Sequence, residues 1–99
     1  MERVLVQNLS KATPGQKVRI DGFVQFVRDQ KRMQFVVLRD HTGLVQLCHE
    51  KDGEGDNLQA VISSLTPESA ITISGQVVVN STIKLGGMEI VLDSLIIVS

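Results

Sequence analysis

The sequence predicts an all-β protein, a five-stranded Greek-key barrel with one helix between the third and fourth strands. Apolar and polar residues alternate with a period of two through most of the chain, which is typical of half-buried strands. Clusters of Gly, Pro, Asn and Asp separate these stretches and predict the turns. One stretch, residues 57–65, carries its apolar side chains at helical spacing instead.

Length and composition set the scale of the molecule. The 99 residues are 42% hydrophobic and 21% charged, which fits one globular domain over residues 1–99 and is too short for a catalytic domain with its own nucleotide site. No apolar run approaches the ~20 residues of a membrane span, and the first residues do not resemble a signal peptide. We therefore expect a cytoplasmic protein with no membrane partner. The lone Cys48 excludes an internal disulfide.

The first part of the chain predicts a lead-in segment and a long strand. Residues 1–16 begin with a short apolar strand and end in the turn of Pro14 and Gly15. Strand one covers residues 17–29. Gly22 inside it permits the bend or bulge by which a strand closes a barrel.

A hairpin over residues 35–46 is the central feature of the pattern. Strand two covers residues 33–39, strand three covers residues 44–49, and the polar turn between them contains Gly43. A period of two gives one apolar face suited to the inside of a barrel. The opposite face presents Phe35, Arg39 and Gln46 to water. These are groups that stack on, neutralise and hydrogen-bond an unstacked base.

The second half completes the predicted barrel. Residues 51–56 form a loop, and Asp56 caps a helix over residues 57–65 that plugs the open end of the barrel. Strand four covers residues 69–80 and strand five residues 88–98, with a break at Asp93 and Ser94. Three strands, a helix and two strands is the order of an OB-fold. An SH3-like barrel or a small sandwich also fits, but the position of the helix and the bend glycines in strands one and four favour the OB-fold.

Charge is unevenly distributed although the net charge is only −1. Residues 17–39 hold six basic residues, among them Lys31 in the predicted hairpin loop, against Asp21 and Asp29, a local balance of +4. Residues 40–68 have a balance of −5, because six acidic residues face one lysine. A polyanion would therefore approach through strands one and two. From charge alone, a basic edge hairpin that only discourages aggregation is the commoner explanation.

Four side chains are candidate ligand contacts, and each also has an ordinary structural explanation. Phe35 can stack on a base, although a core position is the commoner role for phenylalanine. Gln46 can bind the edge of a base or be merely solvated, and Arg28 can bind phosphate or be merely solvated. Glu89 can accept hydrogen bonds from guanine or be an ordinary glutamate at a strand end.

Other reactive residues do not form a recognised site. His41, Cys48 and His49 lack the spacing of a metal centre or of a cysteine nucleophile and its histidine. The glycines at 86 and 87 do not open a phosphate-binding helix. We therefore predict no catalytic residue, no metal and no cofactor.

Several motifs together indicate a family. The pattern combines a strand-one Gly-aromatic-Val, an F-x-x-x-R-D-x-x-G-x-x-Q hairpin and a late Gly-x-Glu. It resembles the N-terminal OB-fold anticodon-binding domain of class IIb aspartyl- and asparaginyl-tRNA synthetases of bacterial or archaeal type, over almost the whole chain. The matching segments are Gly22-Phe23-Val24, Arg28-Asp29, residues 35–46, Ser74-Gly75 and residues 85–90. Phe23 departs from the tryptophan that is frequent in this family.

The resemblance implies a role for each matching residue. Phe35 would stack on the central uridine of the anticodon, Gln46 would hydrogen-bond that base, and Arg28 would help to hold it. Glu89 would contact guanine at the first anticodon position. Phe26 and Lys84 would lie near the other anticodon bases.

The resemblance also implies a binding partner and a lack of catalytic activity in this chain alone. The partner would be the anticodon loop of tRNA-Asp or tRNA-Asn, with GUC or GUU as the sequence read. The chain would not be an enzyme by itself, because the catalytic domain of an ATP-dependent ligase is absent from it. The parent synthetase is expected to be a homodimer and the isolated domain a monomer. A general single-strand binder and a protein-interaction OB-fold remain as alternatives.

Overall fold

The computed structural model describes residues 3–52, 57–80 and 87–99. Within these ranges a 3-10 helix (Val6–Lys11) precedes five strands and one α-helix. The α-helix, α1 (Asn57–Ser63), lies between the third and fourth strands, and the strands are β1 (Lys17–Asp29), β2 (Met33–Asp40), β3 (Gly43–Glu50), β4 (Ala70–Val79) and β5 (Met88–Ile97). The predicted helix cap Asp56 and the predicted contact Lys84 lie outside the described residues.

The strands form a closed barrel in the order β1-β2-β3-β5-β4. All neighbouring pairs are antiparallel except β3 and β5, which are parallel. The 13 residues of β1 serve both sides of the barrel, since residues 17–23 pair with β4 and residues 23–29 pair with β2. This topology, with α1 between β3 and β4, confirms the predicted OB-fold.

Glycines and bulges bend the strands where the barrel closes. A Cβ at Gly22 would lie 2.6 Å from the carbonyl oxygen of Arg39, so β1 and β2 approach closely at this point. The register shift itself comes three residues later, at Gln25 between Val24 and Phe26. On β5 the predicted break is instead a bulge in a continuous strand, because the pairing with β4 skips Asp93.

The core fills the barrel with aliphatic side chains. Val36, Leu38, Val45 and Leu47 of the hairpin are all buried, as the period-two pattern predicts. The helix α1 ends at Ser63, two residues earlier than predicted. Even so, Ile62 and Leu65 both belong to the core cluster. The segment therefore contributes the predicted apolar plug, although its last residues form a turn.

The N-terminal segment differs from the prediction of a short strand. Arg3 forms only an isolated bridge with Arg19, and the chain then turns into the 3-10 helix. The backbone N–H of Gln7 donates to the Thr42 hydroxyl, and the buried Leu9 anchors the segment in the core. These tertiary contacts favour a tight turn over a continued strand.

A buried amide ties the helix to the hairpin. Gln34 on β2 is fully buried, and its Nε2 donates to Ser63 Oγ at 3.0 Å and to the Gln59 carbonyl at 3.2 Å. Asp29 at the end of β1 accepts hydrogen bonds from Ser63 at 2.8 Å and pairs with Lys51 at 2.7 Å. The donors Lys51 and Ser63 lower the pKa of the Asp29 carboxyl. This network sets the position of the hairpin end relative to α1.

No helix within the described ranges is long enough to span a bilayer. The α-helix of these ranges, α1, has seven residues, far fewer than a bilayer-spanning helix requires.

Candidate nucleic-acid interface

The registers of β1, β2, β3 and β5 bring two rows of side chains to one side of the sheet. The first row runs across the four strands through Arg28, Phe35, Cys48 and Val91. The second row likewise contains Phe26, Val37, Gln46 and Glu89. We define these eight residues as the outer face. It lies opposite the core side chains of the same strands.

The outer face brings together five of the seven predicted contact residues. Arg28, Phe35, Gln46, Glu89 and Phe26 all belong to it. Lys31 is exposed in the loop between β1 and β2, beyond the end of the first row. Gln46 and Glu89, which are 43 positions apart in sequence, thus meet because β5 adds to β3 in parallel.

A short hydrogen bond joins two of these residues. The Nε2 of Gln46 donates to the Oε2 of Glu89 at 2.6 Å. Glu89 is only 8% exposed, so it is not the solvated strand-end glutamate that the sequence also allowed. A buried carboxylate needs hydrogen-bond donors, and its two oxygens can accept more bonds than Gln46 alone supplies. The pair therefore presents further acceptor capacity at the outer face.

Cys48 is a member of this cluster that the sequence analysis considered only as a metal ligand or nucleophile. It is 5% exposed and lies next to Glu89. Burial, together with the negative charge of Glu89 and a hydrogen bond to it, raises the pKa of the thiol to about 12. The thiol therefore stays protonated at neutral pH. Its period-two spacing from Gln46 was the available signal that it shares this face.

The two aromatic rings of the outer face lie outside the core cluster. Phe35 is half-buried between its register partners Arg28 and Cys48, and Phe26 is 45% exposed. The alternation of the hairpin predicted that Phe35 lies on the face opposite the core, and Phe35 does lie outside the core cluster. An aromatic ring at the sheet surface is the kind of group on which a base stacks.

The basic residues of β1 and of the loop that follows it divide into two sets. Lys17 pairs with Asp93 at 3.6 Å and Arg19 lies 3.9 Å from Asp21. Arg28, Lys31 and Arg32 are exposed, and no residue of the described ranges forms an ion pair with them. The positive charge that remains available to a polyanion therefore concentrates at the end of the β1–β2 hairpin, beside Phe35.

Arg39 was predicted to face water beside Phe35 and Gln46, but the structure shows its guanidinium already paired. Its guanidinium donates to Glu68 at 2.8 Å and to Gln25 at 3.3 Å, and it lies 5.8 Å from the centroid of the Phe23 ring. The alternation of β2 correctly predicted its side of the sheet. The ion pair with Glu68, which comes from the turn before β4, could not be read from that alternation.

Among residues 3–52, 57–80 and 87–99, no three His, Cys, Asp or Glu side chains lie close enough together to hold a metal ion.

Comparisons with known proteins agree with this geometry. Residues 18–98 match the tRNA anti-codon family, an OB-fold nucleic acid binding domain. The aspartate–tRNA ligase of Lactobacillus johnsonii is 37% identical over 87 residues, which are 84% of this chain and 14% of that protein. The asparagine–tRNA ligase of Pelotomaculum thermopropionicum is 36% identical over 77 residues, 78% of this chain and 18% of that protein. The chain therefore spans less than one fifth of either ligase.

A solved structure shares the fold. The asparaginyl-tRNA synthetase of Pyrococcus horikoshii, complexed with asparaginyl-adenylate, superposes with a TM-score of 0.78 and 28% identity, over 87% of this chain and 20% of that one. The closed barrel, the position of α1 and the match over residues 18–98 lead to one assignment. The chain belongs to the tRNA anti-codon family of OB-fold nucleic acid binding domains, and its relatives are aspartyl- and asparaginyl-tRNA synthetases.

Proposed function

We propose that the outer face reads the anticodon loop of tRNA-Asp or tRNA-Asn. The observation that carries this proposal is the hydrogen-bonded pair of Gln46 and Glu89 beside the half-buried Phe35. It combines an amide, a buried carboxylate and an aromatic ring on one side of a sheet. Single-stranded bases are recognised by stacking on such rings and by hydrogen bonds to their edges.

Each residue has a role that its chemistry supports. Phe35 stacks on the central uridine, and the amide of Gln46 hydrogen-bonds the edge of the same base. Glu89 accepts from the N1–H and N2–H₂ donors of guanine at the first anticodon position, for which its carboxylate has spare acceptor capacity. Arg28 helps to hold the central base, while Phe26 and Lys84 lie near the other anticodon bases.

Phosphate contacts complete the proposed interface. Lys31, Arg28 and Arg32 supply positive charge at the hairpin end. None of the three forms an ion pair with another of the described residues. Such contacts give affinity and position the loop without selecting sequence. The bases are then selected by the outer face.

The relatives support a larger protein as the setting. We propose that the chain works within an ATP-dependent ligase that joins aspartate or asparagine to tRNA, and that it has no catalytic activity by itself. The proposed ligase is a homodimer, and the isolated chain is a monomer. Relatives of both the aspartate and the asparagine type match with similar identity, 37% and 36%, so GUC and GUU are both candidate anticodons.

Fluorescence-anisotropy titration tests the proposal directly. The 99-residue chain is titrated against four anticodon stem-loops, GUC, GUU, GCC and GAC, at low and at moderate salt. We expect binding to GUC and GUU that is clearly stronger than to the loops with central cytidine or adenosine. The ratio of GUC to GUU then indicates the amino-acid identity of the parent ligase.

Two other outcomes would contradict the proposal. Equal binding to all four loops would indicate a general single-strand binder. Absence of salt-dependent binding to any loop would favour an OB-fold that binds a protein partner.

A further inference from the structure

The hydrogen bond between Gln46 and Glu89 fixes the orientation of an amide. A glutamine side chain ends in an oxygen that accepts and a nitrogen that donates, and rotation by about 180° exchanges them. A carboxylate only accepts hydrogen bonds, so the amide nitrogen of Gln46 faces Glu89 at 2.6 Å and the Oε1 faces away. The reversed amide would bring two oxygens into contact beside a carboxylate that is 8% exposed.

This orientation matters because the two pyrimidines differ by the same exchange of donor and acceptor. Uracil offers a donor at N3–H and an acceptor at O4. Cytosine offers an acceptor at N3 and a donor at N4–H₂. A freely rotating glutamine matches either base with two hydrogen bonds. Gln46 by itself therefore does not distinguish uracil from cytosine.

We propose that Glu89 is a specificity-determining residue that selects uracil over cytosine by locking the Gln46 amide. One N–H of Nε2 is held by Glu89, while the second N–H donates to O4 of uracil and the Oε1 accepts from its N3–H. Cytosine would need the amide reversed, against the carboxylate. The inference rests on the proposed function and gives Glu89 a role, acting through Gln46, that is separate from any contact with guanine.

The neighbourhood of Glu89 supports a fixed carboxylate. Residues Gln46 and Glu89 are register partners on β3 and β5, so both ends of the hydrogen bond stand on paired strands and not on loops. Cys48, two residues from Gln46 on β3, lies on the same face beside the carboxylate. Sites built on strands hold the more exact geometry that discrimination between two similar bases requires.

The test separates the lock from the guanine contact. The 99-residue chain and Glu89→Gln are titrated against stem-loops whose first anticodon nucleotide is abasic and whose central base is uracil or cytosine. We expect the unaltered chain to prefer uracil by about tenfold or more, as for a discriminating pair of hydrogen bonds. In Glu89→Gln the ratio should fall close to one, because a glutamine at 89 can donate to or accept from either orientation of Gln46.

Glu50→Gln is the matched control. Glu50 is an exposed carboxylate at the end of β3, and its change alters the net charge by the same amount. It should leave the uracil-to-cytosine ratio unchanged. A Glu89→Gln variant that keeps the full ratio and loses only affinity for loops that carry guanine would overturn the lock while the proposed function stands. If the unaltered chain binds neither these loops nor the guanine-bearing GUC and GUU loops, both proposals fail.

A second measurement needs no variant. In ¹⁵N spectra of the unaltered chain, saturation with the central-uracil loop should shift one side-chain amide proton of Gln46 and leave the proton bonded to Glu89 nearly unmoved. Shifts of both protons would mean that the amide leaves Glu89 on binding, which contradicts the lock.

Discussion

The carboxylate of Asp40 accepts a hydrogen bond from the backbone N–H of Val6, 34 residues earlier in the chain, at 2.8 Å. Its other oxygen accepts from the backbone N–H groups of Thr42 and Gly43 and from the Thr42 hydroxyl at 2.6 Å. One side chain thus closes the β2–β3 turn and holds the N-terminal segment over it.

Asp40 should contribute a pH-dependent part of the stability. Burial raises the pKa of this carboxyl, but the hydrogen bonds from Thr42, Val6 and Gly43 outweigh burial and leave it below its ordinary value of 3.8. The folded state therefore binds the proton less readily than the unfolded state. The contribution is fully present above pH ~4 and is lost as the pH falls through the lowered pKa.

Urea unfolding of Asp40→Ala and Asp40→Asn measures this contribution. We expect Asp40→Ala to lose about 1–3 kcal/mol of unfolding free energy at pH 7, as for a hydrogen-bonded charged group. Asp40→Asn should show a smaller loss of stability than the unaltered chain between pH 5 and pH 2.5. Glu50→Gln, at an exposed carboxylate, is the control. Equal acid sensitivity of Asp40→Asn and the unaltered chain would contradict the role of Asp40.

Gly75 should not tolerate a side chain. A Cβ at this buried position would lie 2.4 Å from the carbonyl oxygen of Val91 and 2.5 Å from Ile90 Cγ2. Gly75→Ala would push β4 away from β5 at the bulge and should cost about 1–3 kcal/mol of unfolding free energy. Thermal unfolding compared with Gln76→Ala, the exposed neighbour, measures it. A melting temperature equal to that of the control would show that the strands move apart without cost.

Phe35 should matter more for binding than for folding. It lies outside the core cluster, so Phe35→Ala should remain folded and should weaken binding of the GUC or GUU stem-loop by about 1–3 kcal/mol, the stacking contribution of one base. Phe23→Ala removes a more exposed ring at the other end of the β1–β2 pairing and should leave that affinity nearly unchanged. Circular dichroism of both variants is needed beside the titrations. Unfolding of Phe35→Ala would instead mark Phe35 as a core residue.

Arg28 should contribute through charge. Removing one phosphate contact with single-stranded nucleic acid lowers the slope of log K against log salt by about 0.7. Arg28→Ala should show this change in stem-loop titrations over a range of salt concentrations. Lys17→Ala removes the same charge from a residue already paired with Asp93 and should leave the slope unchanged. Equal slopes for the two variants would mean that the positive charge acts at long range and not at the hairpin end.

Much of the barrel could be predicted because it depends on local patterns. The bounds of strand one and the inward faces of the hairpin follow from the alternation of apolar residues, and residues 57–65 show helical spacing. The prediction of a short strand at the N-terminus was wrong, because the contacts of Gln7 and Leu9 with distant residues determine the conformation of that segment. The predicted break in strand five is a bulge in the structure for a similar reason, because β5 stays paired with β4 on both sides of Asp93.

The sequence by itself determined the order of strands and helix, the alternation of faces and the residue types available for binding a base. Only the tertiary structure decided which of these residues meet. Gln46 and Glu89 are joined by the parallel pairing of β3 with β5, Cys48 is buried beside them, and Arg39 forms an ion pair with Glu68. Periodicity assigns a side chain to a face from its own strand alone, whereas hydrogen bonds and ion pairs depend on which strands and turns the closed barrel brings together.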